Sequence, residues 1–338
     1  MSAEFRAIEL QIPEELNGFR LDSALARMLP EHSRTRIKGW IEAGRVQIGR
    51  LPCKPRDVVS AGSRVQVRMS GESEAASAAV LPEAIPLKIV HEDPDVLVVD
   101  KPVGLVVHPG AGNPRHTLQN ALLGWDPRLA SIPRAGIIHR LDKDTSGLLM
   151  VARTPEAHTA LTRELMARSV SREYLAVCVG VMTSGGTIDQ PIGRHRSDRL
   201  RMTVRSDGRS ATTHYRVLER FRAHSYLSVR LATGRTHQIR LHLSHLKYPL
   251  VGDAVYGGRF GRPRGASEEL ARALRDFGHQ ALHAAKLAFD HPRTGERLAL
   301  EAPVPADFAA LLEVLRADAR EASRELATRR SSGRSVGG

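Results

Sequence analysis

Aromatic side chains are scarce: Phe, Trp and Tyr together make up 4% of the 338 residues. Any core must therefore rest on Leu, Val, Ile and Ala. Cysteine is nearly absent, and Cys53 and Cys178 lie far apart without metal-ligand spacing. That argues against a disulfide scaffold or a cysteine-rich zinc site and suits a reducing cytoplasm. No run reaches the roughly 18 consecutive apolar residues of a membrane span. The opening MSAEFRAIEL has neither the basic nor the apolar stretch of a secretory signal. A phosphate-cradling glycine loop, a nucleophile elbow and the H-E-x-x-H zinc spacing are all missing, so no metal or cofactor is expected. Acidic residues are outnumbered, 37 against 50 Lys and Arg, for a formal net charge of +13. Such a surplus points to a polyanionic partner, because nucleic acid gains affinity for basic proteins by releasing counterions from its phosphates. Arg-rich composition kept for solubility is the alternative.

The length suits about two domains. Leu21, Leu25 and Leu29 form one apolar stripe of a short helix that Pro30 ends. Ser33 then caps a second helix, SRTRIKGWIEAG, with Ile37 and Ile41 inward and Arg34 and Lys38 on a neighbouring flank. Val46/Ile48 and Val65/Val67 alternate as small strands do. The small polar stretch 69–83 reads as a flexible linker, and the Arg-, Ser- and Gly-rich tail 316–338 as disordered. Between them, residues 84–315 carry strand patterns at 87–90, 96–99, 147–152, 173–180, 213–218 and 226–231. Helical patterns fall at 117–124, 156–168 and 236–247. Strands outnumber helices and often adjoin, so an α+β domain on a mixed, mainly antiparallel sheet is expected.

Three segments carry chemically capable residues. In GIIHRLDKDTSGLLMVA, residues 136–152, two apolar runs flank a polar loop and put Asp142 at the mouth of a strand, with Gly147 marking the return to extended chain. A carboxylate beside arginines stays ionised and can act as nucleophile or base, although a lone loop Asp also simply caps turns. In TGRTHQIRLHLSHLKYPLVGD, residues 233–253, a helix places Ile239, Leu243 and Leu246 inward and His237, Arg240 and Ser244 on another face. Arg240 is suited to pair with a buried carboxylate. His237, His242 and His245 share no face, against a zinc site. In SREYLAVCVG, residues 171–180, Tyr174 is a candidate for stacking on a base, or a core tyrosine. No second carboxylate partners Asp142 as a glycosidase would require.

Together these segments resemble the RluA/RluD family of pseudouridine synthases. HRLDKDTSG matches the family's signature loop, which implies that Asp142 is the essential residue and that Arg140 lies near the flipped nucleotide. Tyr174 falls at the family's active-site tyrosine, Arg240 in GRTHQIR at its Asp-pairing arginine, and Leu282 in QALHAAKL at the apolar residue beneath the uracil. VVHPGAGNP, PIGRHRSDRLRM and PLVGDAVYGGR resemble the RluD branch. Residues 18–68 resemble the S4 RNA-binding domain, with Arg34, Arg36, Lys38 and Arg45 as candidate phosphate contacts. The resemblance implies isomerisation of uridines of the helix 69 stem-loop in 23S rRNA of the large ribosomal subunit; a cytoplasmic monomer without cofactor, metal or membrane is expected beside it. A noncatalytic rRNA-binding protein and a related synthase with another rRNA or tRNA target are the competing expectations.

Overall fold

The computed structural model describes residues 5–30, 32, 34–49, 51–70, 80–110, 112–198, 201–257 and 262–332, with side chains for all of these except 5, 6, 34–36, 69, 70 and 326–332. The chain divides into two units at residues 79/80.

In the first unit, the strand β1 (Phe5–Gln11) precedes the helices α1 (Leu21–Met28) and α2 (Arg34–Glu42), followed by β2 (Val46–Ile48), β3 (Leu51–Pro52) and β4 (Arg64–Ser70). Leu21, Leu25, Ile37 and Ile41 are fully buried, as their spacing requires, and Trp40 joins them. The sheet order is β1-β4-β2-β3, all antiparallel, with Leu10 opposite Val65 and Ile8 opposite Val67. The unit therefore begins at β1 and not at residue 18, because β4 needs a second neighbour to bury Val65 and Val67. Ser33, expected to cap α2, lies outside the described residues, as do the side chains of Arg34 and Arg36.

The second unit is α+β. Its elements are β5 (Lys88–Glu92), β6 (Val96–Lys101), α3 (Leu118–Trp125), β7 (Ser146–Ala152), α4 (Pro155–Ala167), β8 (Ser171–Val179), β9 (Gly186–Asp189), β10 (Ile192–Arg194), β11 (Met202–Val204), β12 (Thr212–Arg220), β13 (His224–Leu231), α5 (Gln238–His245), α6 (Glu268–Asp276), β14 (Leu282–Asp290), β15 (Arg297–Glu301) and α7 (Ala306–Ser332). One large sheet runs β5-β6-β7-β14-β8-β13-β12-β9, with β15 also on β14. Among the described strands, β7 and β14 alone pair in parallel. Both faces are covered, so the strands read as continuous apolar runs whose members alternate between cores. Leu97, Leu149, Tyr174 and Leu282 belong to the core with α3 and α5, whereas Val96, Leu148 and Phe289 meet α4. Val177 packs with α6 and α7.

Two expectations need correction. Residues 80–83 are not linker: Asn120 Nδ2 donates to Leu81 O (2.7 Å), and the Glu83 N–H donates to Asn120 O (3.0 Å). Gly124 permits that approach, since a Cβ there would lie 2.2 Å from Glu83 O. Nor does order stop at residue 315. Helix α7 continues to Ser332, with Asp318 buried and accepting from Arg222 Nε (2.9 Å) and from the Ser267 N–H (2.8 Å). Arg316 pairs with both oxygens of Glu219. Ala, Arg and Glu favour helix as readily as solvent, and these anchors decide between them.

Candidate active site

The loop that carries Asp142 is pinned at almost every residue. The Met150 N–H donates to His139 Nε2 (3.1 Å), and burial, with the Arg172 charge, drives the His139 pKa down to about 3, so the ring stays a neutral acceptor. Leu141 is buried, and the Thr145 N–H closes a turn on Asp142 O (3.1 Å). Lys143 O accepts from the Gly104 N–H (3.0 Å) and from Lys101 Nζ (2.9 Å). Lys101 is 1% exposed, and its ammonium also donates to Pro102 O (2.7 Å) and Leu105 O (2.9 Å). Burial lowers its pKa to about 8 against the raising charges of Asp144, Asp142 and Asp100. On the far side, Gln280 Nε2 donates to Thr145 Oγ1 (3.0 Å), tying the loop to the entry of β14. Gly147 does more than return the chain to strand. Its φ is 109°, and a Cβ there would stand 2.3 Å from Ala284 O, so only Gly allows β7 to approach β14.

Opposite this loop, α5 presents Arg240. Its Nη1 donates to Asp142 Oδ2 at 3.0 Å, while Nε and Nη2 donate to the two oxygens of Asp253 at 2.7 and 2.9 Å. Asp253 is further held by the N–H groups of Val255 (2.9 Å) and Tyr256 (3.0 Å). Burial works against both charges. Even so, the hydrogen bonds and charge of Asp253, with Asp142 added, hold the Arg240 pKa above its ordinary value. The same bonds hold the Asp253 carboxyl below its own despite burial. A planar guanidinium can serve two carboxylates at once because its five donors form a rigid fork. The Asp142 side chain is 17% exposed, so the pair sits at the edge of solvent.

Tyr174 and Leu282 lie on adjacent strands and one sheet face: Tyr174 is opposite Ala284, and Ala176 opposite Leu282. Both are buried in the core that also holds Leu141 and Ile239. Burial raises the Tyr174 pKa, with the Asp142 charge adding to it and Arg172 opposing. Arg140 is exposed beside the loop. Lys38 and Arg45 belong to the first unit, where Lys38 Nζ lies 3.4 Å from Glu42 Oε1 on an exposed helix face.

The single polar face read for α5 does not hold. His237 is not on the helix but before it, in left-handed backbone (φ 56°), and Gln238 to Leu243 are all buried. Gln238 and His242 are absorbed by Thr213, whose hydroxyl lies 2.9 Å from Gln238 Nε2 and 2.8 Å from His242 Nδ1. Sequence reasoning missed Asp253, Tyr256 and Lys101 as site residues, and placed His237 on the helix and not ahead of it. The first two stand in GDAVYGG, a glycine-bounded segment that could have flagged them; Lys101 gave no signal, since a Lys beside Pro102 reads as surface. The one metal-like group among the described residues, Asp93, Asp95 and His291, is already satisfied internally. Arg293 takes both oxygens of Asp95 (2.5 and 2.7 Å), and His91 bonds Asp93 (2.6 Å).

Comparison with known proteins agrees with this architecture. Residues 95–245 match the family described as RNA pseudouridylate synthase, and residues 19–65 match the S4 domain. Ribosomal large subunit pseudouridine synthase D of Xanthomonas campestris is 54% identical over 94% of this chain and 95% of its own. The protein of the same name from Pseudomonas aeruginosa is 56% identical over 92% of this chain and 96% of its own. Among solved structures, Human RNA Pseudouridylate Synthase Domain Containing 4 aligns with a TM-score of 0.54 at 26% identity, over 68% of this chain and 93% of that one. Likeness of this extent, over both units, means that the chain belongs to the RNA pseudouridylate synthase family and is an isomerase with an S4 domain ahead of its catalytic domain.

Proposed function

We propose that the protein converts uridines of large-subunit 23S rRNA to pseudouridine, with Asp142 as the catalytic carboxylate and the helix 69 stem-loop as its target. The observation that carries this reading is the 3.0 Å ion pair of Asp142 with Arg240, both inside the segment that matches the family, with Arg240 anchored on Asp253 just beyond it. The names of the two bacterial relatives support the substrate class. The reaction breaks the bond between uracil N1 and ribose C1′, turns the base and joins C5 to C1′; the C5 hydrogen leaves as a proton and N1 gains one. No electrons enter or leave.

A stacked base is out of reach, so the nucleotide is flipped out at a cost of about a few kcal/mol, least in a loop. Arg140, exposed beside the loop, faces the vacated stack. Tyr174 and Leu282, neighbours on one sheet face, hold the detached uracil between them. Arg240 holds Asp142 by a charge-assisted hydrogen bond and aims it. Arg34, Arg36, Lys38 and Arg45 of the S4 domain hold the RNA backbone through phosphate contacts, and the enzyme acts as a cytoplasmic monomer. Among the described residues, no helix is long and apolar enough to cross a membrane.

Tritium release from rRNA labelled at uridine C5 tests the chemistry directly, because forming the carbon–carbon bond expels that hydrogen. Wild-type protein releases tritium; Asp142→Asn does not, yet still binds the RNA. Appreciable release by the variant would remove Asp142 from the role. Tight rRNA binding with no release by either protein would leave an RNA binder. Release from tRNA alone would move the target.

A further inference from the structure

Arg240 fixes only one oxygen of Asp142. Two arms of its fork are committed to Asp253, and the third reaches Oδ2 alone. A carboxylate held by a single hydrogen bond can still turn about it. The polar atom facing the other oxygen is His237 Nε2, 3.9 Å from Oδ1. That is beyond hydrogen-bond range but within reach of a small rotation.

His237 has two features that a filler residue would not. It holds left-handed backbone (φ 56°, ψ 23°) immediately before α5 and makes no side-chain cap there. Such conformations are costly for residues other than Gly and persist where the surroundings over-determine them, often at active sites. The over-determining partner here is Tyr256, whose Oη lies 2.9 Å from His237 Nδ1, with the rings edge to face at 5.6 Å. Tyr256 Oη also accepts from the Met202 N–H (2.9 Å). With that lone pair engaged, and no other acceptor for its proton among the described residues, the hydroxyl donates to Nδ1. The imidazole proton is thereby assigned to Nε2, on the side of Asp142.

We propose that His237 is a positioning residue for the isomerisation: with its Nε2–H aimed by Tyr256, it engages the second oxygen of Asp142 and, together with Arg240, fixes the plane of the carboxylate. A carboxylate oxygen has two lone pairs, so one remains for the ribose or the base. The proposal rests on Asp142 being the catalytic group. The charged groups that face His237 are Asp142, Arg240, Asp253 and Arg140; burial, the largest influence, lowers its pKa, with Arg240 and Arg140 assisting and the two carboxylates opposing. At neutral pH the ring is therefore an uncharged donor. An imidazolium would pair with Asp142 as an ion and quench its basicity.

The test is tritium release under multiple turnover with His237→Gly, His237→Gln, Tyr256→Phe and Asp142→Asn. Gly relieves the left-handed backbone, so that variant keeps its fold, checked by Tm. A misaimed carboxylate predicts a fall of about 10- to 100-fold in kcat for His237→Gly, with KM for RNA unchanged. His237→Gln, whose amide nitrogen can take the place of Nε2, recovers much of that loss, and Tyr256→Phe falls between. The acid limb of wild-type kcat, set by imidazole protonation, moves to lower pH in His237→Gln. Wild-type kcat in His237→Gly would overturn the proposal, as would equal losses in the Gly and Gln variants that merely track Tm. An inactive Asp142→Asn in the same assay keeps the catalytic reading intact whatever His237 does. An active one removes that reading instead.

Discussion

At the scale of single residues, the site is a chain of commitments that each leave one group free. Asp253 is spent on Arg240 and on two backbone N–H groups, so that Arg240 can spend its remaining arm on Asp142. Asp253 and Arg240 are 3% and 6% exposed. Breaking a buried pair by removing one partner strands the other charge and costs about 3–5 kcal/mol. Asp253→Ala should accordingly lower the midpoint of urea unfolding by that equivalent and slow tritium release as Arg240 relaxes. An unchanged midpoint would mean that water reaches the pair freely. The motif residues beside Asp142 were legible as a string, but their division of labour was not. His139 serves as an acceptor for the Met150 N–H, eleven residues on, and Thr145 as one for Gln280, 135 residues away, jobs set by how the chain folds back on this loop.

At the scale of elements, the decisive contact is the parallel pairing of β7 with β14, which brings the Asp142 loop beside the strand that bears Leu282. Gly147 permits it, with Ala284 O 2.3 Å from where a Cβ would stand and φ at 109°. Gly147→Ala should destabilise the protein by about 1–3 kcal/mol or more through clash and backbone strain. Gly39 is its opposite. It lies inside α2, where an added Cβ meets nothing within 4 Å, so Gly39→Ala should stabilise by about 0.5–1 kcal/mol through helix propensity alone. Thermal unfolding of the two variants reads both effects, and an equal response would refute the distinction. The strands of the central sheet were readable because apolar runs of four to eight residues bounded by turns are a strong local signal. Helix α7 beyond Leu315 was not, because its order comes from Arg222, Ser267 and Glu219, distant partners that composition does not announce.

At the scale of the whole molecule, the excess of 50 basic over 37 acidic residues sets the electrostatics. Many of the cations inside the catalytic unit are internally paired, as Arg153, Arg222, Arg293 and Arg316 show, each within 3.1 Å of a carboxylate oxygen. Charge on exposed residues such as Arg140 is what an RNA phosphate would meet. Affinity for an rRNA fragment should fall steeply with salt, log Kd rising linearly with log salt at about 0.7–0.9 per phosphate contact. Removing one contact, as in Lys38→Ala, should reduce the slope by about one and weaken binding without changing kcat. A salt-independent Kd would show that charge is not the source of affinity.

The sequence by itself determined the class and the parts. Periodicity fixed the helices α1 and α2 and six strands of the large sheet, charge pointed to a polyanionic partner, and the strings HRLDKDTSG and GRTHQIR carried the family. These are local properties, readable over a dozen residues. Tertiary structure alone decided which parts meet: that Arg240 spans Asp142 and Asp253, that Lys101 is a buried clamp on Lys143 O and not a surface charge, and that His237 leaves the helix to face the carboxylate. Each of those facts depends on groups up to 98 residues apart. The energy of a hydrogen bond or an ion pair is set by distance and burial in the folded chain, quantities that no local pattern contains.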